Sequence, residues 1–177
     1  MLLVFVFRVC LLLLFLIAAL KFGDWKNWQK YYPTILFIMV INLVASYLTY
    51  HHTLWNYDRD ILVKTHTTVE FINALVLLPA VAFTFLSKFP VSTKFYQYGY
   101  IALWVLIFSS LELIDHYVVG GISYENGWTW PSSFIFDIAM FSILRLHHLK
   151  PIWAWIASAL MTVIIFILFN FTSGEFK

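Results

Sequence analysis

The stretch "TTVEFINALVLLPAVAFTFL", residues 67–86, holds twenty residues and a single charge, Glu70. A helix rises about 1.5 Å per residue, so this stretch reaches roughly 30 Å, the thickness of a bilayer's hydrocarbon core. Working outward, five more apolar stretches of comparable character appear: Leu2–Leu20, Thr34–Tyr50, Tyr98–Val118, Ser132–Leu146 and Ile152–Phe171. The fifth in chain order, Ser132–Leu146, is the shortest and carries Asp137 and Arg145. The runs are continuous rather than alternating, which excludes a transmembrane β-barrel. The expected fold is an all-α, polytopic membrane bundle of six helices, forming one domain over 1–177.

Composition agrees with lipid as the solvent. Of 177 residues, 62% are hydrophobic and only 11% charged, with a mean hydropathy of +0.84. Soluble domains are nearer half apolar and a quarter charged. The net charge of +2 is too small and dispersed for nucleic-acid binding, so the bilayer is the expected partner. A single cysteine, Cys10, excludes an internal disulfide and a cysteine-based zinc site. No basic region precedes the first apolar run, and no small-x-small cleavage signal follows it, so it reads as a retained helix.

Prolines mark the helix starts. Pro33, Pro131 and Pro151 sit at or just before a first turn, where a missing N–H costs nothing. Pro79 falls inside the third stretch and predicts a kink. The connectors "KFGDWKNWQKYYP" (21–33) and "YENGWTWP" (124–131) carry the Trp and Tyr residues that suit a headgroup layer.

Orientation follows from basic residues. Lys21, Lys26, Lys30, Lys88, Lys94, Arg145 and Lys150 flank one set of helix ends; Arg59, Lys64 and Lys177 flank the other. Seven against three predicts the first set in the cytoplasm and both termini outside. The outward ends then hold His51, His52, Asp58, Asp60, His66, Glu70, Glu112, Asp115, His116, Glu125 and Asp137.

Helical spacing sharpens this set. His66, Glu70 and Asn73 share one face of the third helix, and Ser109, Glu112 and His116 share one face of the fourth, with Asp115 alongside. Asn42, Ser46 and Thr49 form a polar stripe on the second helix, read as hydrogen-bonding glue between helices. Glu112 lies about 12 Å of helix below Gly120, and Asp137 roughly 10 Å past the Trp-Pro start of the fifth. An ionisable side chain at that depth must face the bundle or a wet cavity, since facing lipid costs at least a few kcal/mol. Plainer readings fit other groups: His51, His52, Asp58 and Asp60 as solvated loop residues, Asp115 and His116 as an ordinary helix end. Arg145, His147, His148 and Lys150 read as a cytoplasmic interfacial edge.

The leading functional reading is non-enzymatic: a membrane sensor, assembly factor or partner subunit with an outward-facing His/carboxylate pocket of His66, Glu70, Asn73, Glu112, Asp115, His116 and Asp137. A second is a membrane enzyme acting on a lipid-like substrate. In its metal-dependent form His66, Glu70, Glu112, His116 and Asp137 would ligate zinc, iron or manganese, metals that suit mixed imidazole and carboxylate ligands. In its acid–base form His66 and Glu70 would act as a pair. The His-x-x-x-Glu spacing in a small helical bundle is similar to that of the membrane sterol isomerases, over these two residues. A third reading is proton or cation handling. The HExxH and GxSxG patterns are absent.

The segments "KFGDWKNWQKYYPTILF", "THTTVEF" and "LELIDHY" together resemble a group of small polytopic membrane proteins from endospore-forming bacteria. The resemblance runs from about Lys21 to the end of the sixth helix. It implies a multi-pass protein of a bacterial cytoplasmic membrane, and assigns no catalytic residue.

Overall fold

The computed structural model describes residues 1–171. Six helices follow one another: α1 Leu2–Phe22, α2 Tyr32–Leu48, α3 His66–Ser87, α4 Lys94–Val119, α5 Trp130–Leu149 and α6 Pro151–Leu168. Each contains most of one apolar stretch. α4 begins four residues before its apolar stretch, and α5 runs two residues earlier and three later than its own. Its polar flanks, Trp130 at the start and His147 and His148 at the end, continue the helix because helical bonding does not require apolar side chains. Pro33, Pro131 and Pro151 all lie in first turns. Lys177 lies outside the described residues, and so does its contribution to the orientation count.

By length and composition, α1, α3, α4 and α6 can each cross a membrane. The 17-residue α2 is apolar but shorter, and α5 carries Asp137 and Arg145. The architecture is all-α apart from a short ribbon. Its strands, β1 (Trp55–Tyr57) and β2 (Ile122–Tyr124), pair antiparallel with Trp55 opposite Tyr124 and Tyr57 opposite Ile122.

Two helices contain a wide π turn. In α3 it spans Asn73–Leu77, and the Leu78 N–H reaches back to the Asn73 carbonyl. Pro79 falls in the first turn of the α-helical portion beyond, so its missing N–H coincides with a place where the bonding has already changed register. In α4 the π turn covers Asp115–Val119 and closes on Gly120, whose φ of 70° is left-handed.

The second half of α3 is apolar on every side and forms the central post of the bundle. Val81, Ala82 and Phe85 are fully buried in it. Around Phe85 pack Phe89, Tyr100, Trp104 and Phe141, with ring centroids 5.1–5.8 Å apart. Ala74, Ala80 and Ala82 on α3 let its neighbours approach closely. Among apolar helices in lipid, this dispersion packing replaces the hydrophobic effect as the source of cohesion.

Contacts at the helix ends define two poles. At one, Trp25 and Tyr31 pack on Phe83, Arg145 stacks 4.1 Å from the Phe89 ring centre, and Tyr31 stacks on His148. Lys21, Lys26, Lys30, Lys88, Lys94 and Lys150 flank these ends. His147, expected at a cytoplasmic interfacial edge, is buried, bonded to Thr34 Oγ1 at 3.0 Å and stacked on Phe37. Apart from Asp24, every acidic residue among the described residues lies toward the opposite pole. There the β-ribbon ties the α2–α3 and α4–α5 connectors together.

Candidate functional site

A cavity of about 260 Å³ opens beneath the ribbon, walled by α2 to α6. Its polar side chains come from separate elements: Asn42, Ser46 and Thr49 from α2, Glu70 and Asn73 from α3, Glu112 from α4, Ser133 and Asp137 from α5. The α2 stripe thus faces a space as well as a neighbour. Among the described lining residues there is no lysine, arginine, histidine or cysteine.

Each carboxylate is held by neutral hydroxyls. Ser46 Oγ donates to Glu70 Oε2. Tyr124 donates to Glu112 Oε1 at 2.7 Å, and Ser109 to Asp137 Oδ2 at 3.1 Å. Asp137 is 6% exposed, and among the described residues its second oxygen accepts no hydrogen bond.

His66 caps this arrangement from outside. Its Nδ1 accepts the Tyr57 backbone N–H at 2.9 Å, so its proton sits on Nε2, which lies 3.2 Å from Glu70 Oε1. The ring also stacks on Tyr57. Glu70 is thereby fixed in place, and both imidazole nitrogens are occupied.

His116 stands apart. Its Nδ1 donates to the Ile122 carbonyl at 2.9 Å and its ring lies against Tyr124, so it supports the ribbon rather than the cavity. Asp115 faces a smaller, neighbouring space of about 140 Å³ beside Arg8, with Oδ1 buried and unpaired. Tyr57, Asn73 and Glu112 line both spaces. Of the seven residues expected at the pocket, Glu70, Asn73, Glu112 and Asp137 share one cavity, while His66, Asp115 and His116 sit around it.

The metal reading finds no support in this geometry. Among the described residues, no three His, Cys, Asp or Glu side chains are arranged to hold an ion. His66 has no lone pair to give, and His116 is turned toward a backbone carbonyl.

Arg8 belongs to the site's support and was not singled out by the sequence reading. It reaches from α1 to Asp60 Oδ2 at 2.8 Å, the Asp58 carbonyl at 2.6 Å and the Gly121 carbonyl at 3.0 Å. One guanidinium thus fastens both connectors. The expectation that Asp60 is solvated is overturned: it is 1% exposed, and its Oδ1 accepts the Leu62 and Val63 N–H groups. Burial alone would raise its pKa, but the Val63 N–H, Arg8 and the Leu62 N–H together hold it below the ordinary value. The available signal for Arg8 was a lone arginine in an apolar span, which must find a polar partner.

Two tyrosines of the ribbon report the local field. Burial first, then the charges of Glu112, Glu70 and Asp115, push the Tyr57 phenol far above its ordinary value. Burial, followed by its bond to Glu112, does the same for Tyr124. Both remain O–H donors. Nothing in their sequence context, beyond the short alternating segments "WNY" and "ISY", marked them for this role.

No protein-family model matches the chain, and no curated protein or solved structure matches it at a significant level.

Proposed function

We propose that this chain is a six-span membrane protein whose acidic pole faces outward and whose cavity receives a small ligand, making it a non-enzymatic sensor or partner subunit. The observation that carries this reading is the cavity itself. Three helices deliver Glu70, Glu112 and Asp137 to one space, and each carboxylate accepts a hydroxyl, with His66 also beside Glu70. Such a lining recognises charge and hydrogen-bond donors in an otherwise apolar space, as binding sites do. No thiol or imidazole lines it among the described residues, and the one nearby histidine is committed to holding Glu70.

The lysine-rich ends gathering at the opposite pole support six spans and an outward acidic pole. The resemblance to small membrane proteins of endospore-forming bacteria suggests the cytoplasmic membrane as the location. Single cysteines in a Cys10→Ser background test the arrangement. Asn126→Cys should react with a membrane-impermeant maleimide on intact cells, and Thr93→Cys only after permeabilisation. The reverse pattern would invert the orientation, and labelling of both on intact cells would refute the six-span path.

A further inference from the structure

We infer that the ligand of this cavity is an organic monocation, a protonated amine carrying a small aromatic or branched apolar body. The inference rests on the reading of the cavity as a binding site and names its ligand class.

Charge comes first. Glu70, Glu112 and Asp137 line one space that no lysine, arginine or histidine lines among the described residues, His66 lying beside Glu70 outside it. The nearest arginine, Arg8, is already engaged by Asp60 and two carbonyls. Neutral hydroxyls orient the carboxylates without cancelling their charge. A carboxylate in a dry setting is neutralised by a proton or by a cation, and a positive ligand supplies the second.

The second observation is Asp137. It is more than nine-tenths buried, it lines the cavity, and one of its oxygens accepts no bond among the described residues. An ammonium group presents three N–H donors, which matches an acceptor left open toward the cavity beside two further carboxylates.

The walls argue for an organic cation rather than a bare ion. Trp55, Tyr57, Phe108, Trp128 and Phe136 contribute aromatic surface to the cavity. Aromatic faces attract ammonium groups and cover apolar bodies. Among the described residues, no set of three ligating groups is arranged to hold a metal. The volume of about 260 Å³ exceeds the roughly 150 Å³ that holds benzene and lies below the usual drug-sized range, so the ligand is small. Three carboxylates disfavour a phosphate beside the amine, which argues for a free amine over an aminophospholipid headgroup.

The test is calorimetric titration of the purified full-length protein in a non-ionic detergent. Three ligands of one shape serve as probes: 2-phenylethylamine, 2-phenylethanol and 3-phenylpropionate. The inference expects the amine to bind at least about tenfold more tightly than either comparator, as loss of a charged hydrogen bond implies. Asp137→Asn and Glu112→Gln should each weaken the amine by a similar factor, in protein that elutes and melts as a folded species. Should those variants misfold, the three-probe comparison on the parent still decides. Equal binding of alcohol and amine would overturn the cation inference while leaving a ligand cavity in place. Binding of none at millimolar concentration would overturn it, and so would competition by sodium alone at the amine's own concentration. Amine binding only in vesicles containing phosphatidylethanolamine would assign the site to a lipid headgroup and overturn the free amine.

Discussion

Replacing Arg8 by methionine should loosen the acidic pole more than any other single change on α1. The guanidinium donates to Asp60 Oδ2, to the Asp58 carbonyl and to the Gly121 carbonyl, and so joins α1 to both connectors. Its side chain is 15% exposed and that of Asp60 is 1%, so water does little to screen the pair. Breaking a buried pair by removing one partner costs about 3–5 kcal/mol. Asp60 keeps the Leu62 and Val63 N–H donors, which places the expected loss near the lower end, about 3 kcal/mol. Reversible unfolding in mixed micelles measures it. A double-mutant cycle with Asp60→Asn isolates the pair, and a coupling of about 1.5–3 kcal/mol is expected for a charged hydrogen bond. An Arg8→Met protein within about 0.5 kcal/mol of the parent, or strict additivity in the cycle, would refute the latch.

Acid should weaken the same latch. The pKa of Asp60 in the folded protein is lower than the ordinary 3.8, so its contribution is present above that value and fades as pH falls through the lower folded value. The stability gap between the parent and Asp60→Asn should therefore shrink below about pH 4; a gap that widens there would contradict the assignment. Gly23→Ala should cost about 1–3 kcal/mol by overpacking, since a Cβ at this position would stand 2.3 Å from Phe83 Cε1 and 2.4 Å from the Ala19 carbonyl oxygen. An unchanged melting temperature would mean that α1 does not dock on Phe83 as described. Tyr124→Phe removes the donor 2.7 Å from Glu112 and should cost about 1–2 kcal/mol, read by the same unfolding assay; a neutral result would place Glu112 elsewhere.

The helices were legible because each apolar stretch states its own length. Helix ends were less so: α5 extends past Leu146 through His147 and His148, whose polarity hides a helix that is bonded throughout. The candidate site was legible by spacing within a helix, which put His66 with Glu70. What spacing within a helix does not contain is the partner across helices. Arg8 and Asp60 are 52 residues apart, and Tyr124 meets Glu112 only because α4 ends in a π turn and β2 folds back. Loop position predicts wet side chains, because loops usually run over the surface. Asp60 departs from that expectation because an arginine on α1 draws it inward. His116 looked equivalent to Glu112 on one helical face, yet the π turn begun at Asp115 alters the register, and its ring meets the ribbon instead.

The central claim is that an acidic, accessible cavity opens among α2 to α6 at the acidic pole, the one proposed to face outward. Thiol modification at Asn42, on the cavity wall, tests it most directly. In a Cys10→Ser background, Asn42→Cys should react from outside with a cationic methanethiosulfonate about tenfold faster than with its anionic counterpart, while Val40→Cys, which is exposed but not on the cavity wall, should show no such preference. Equal rates for the two reagents at position 42, or no reaction there from the outer side, would contradict the account.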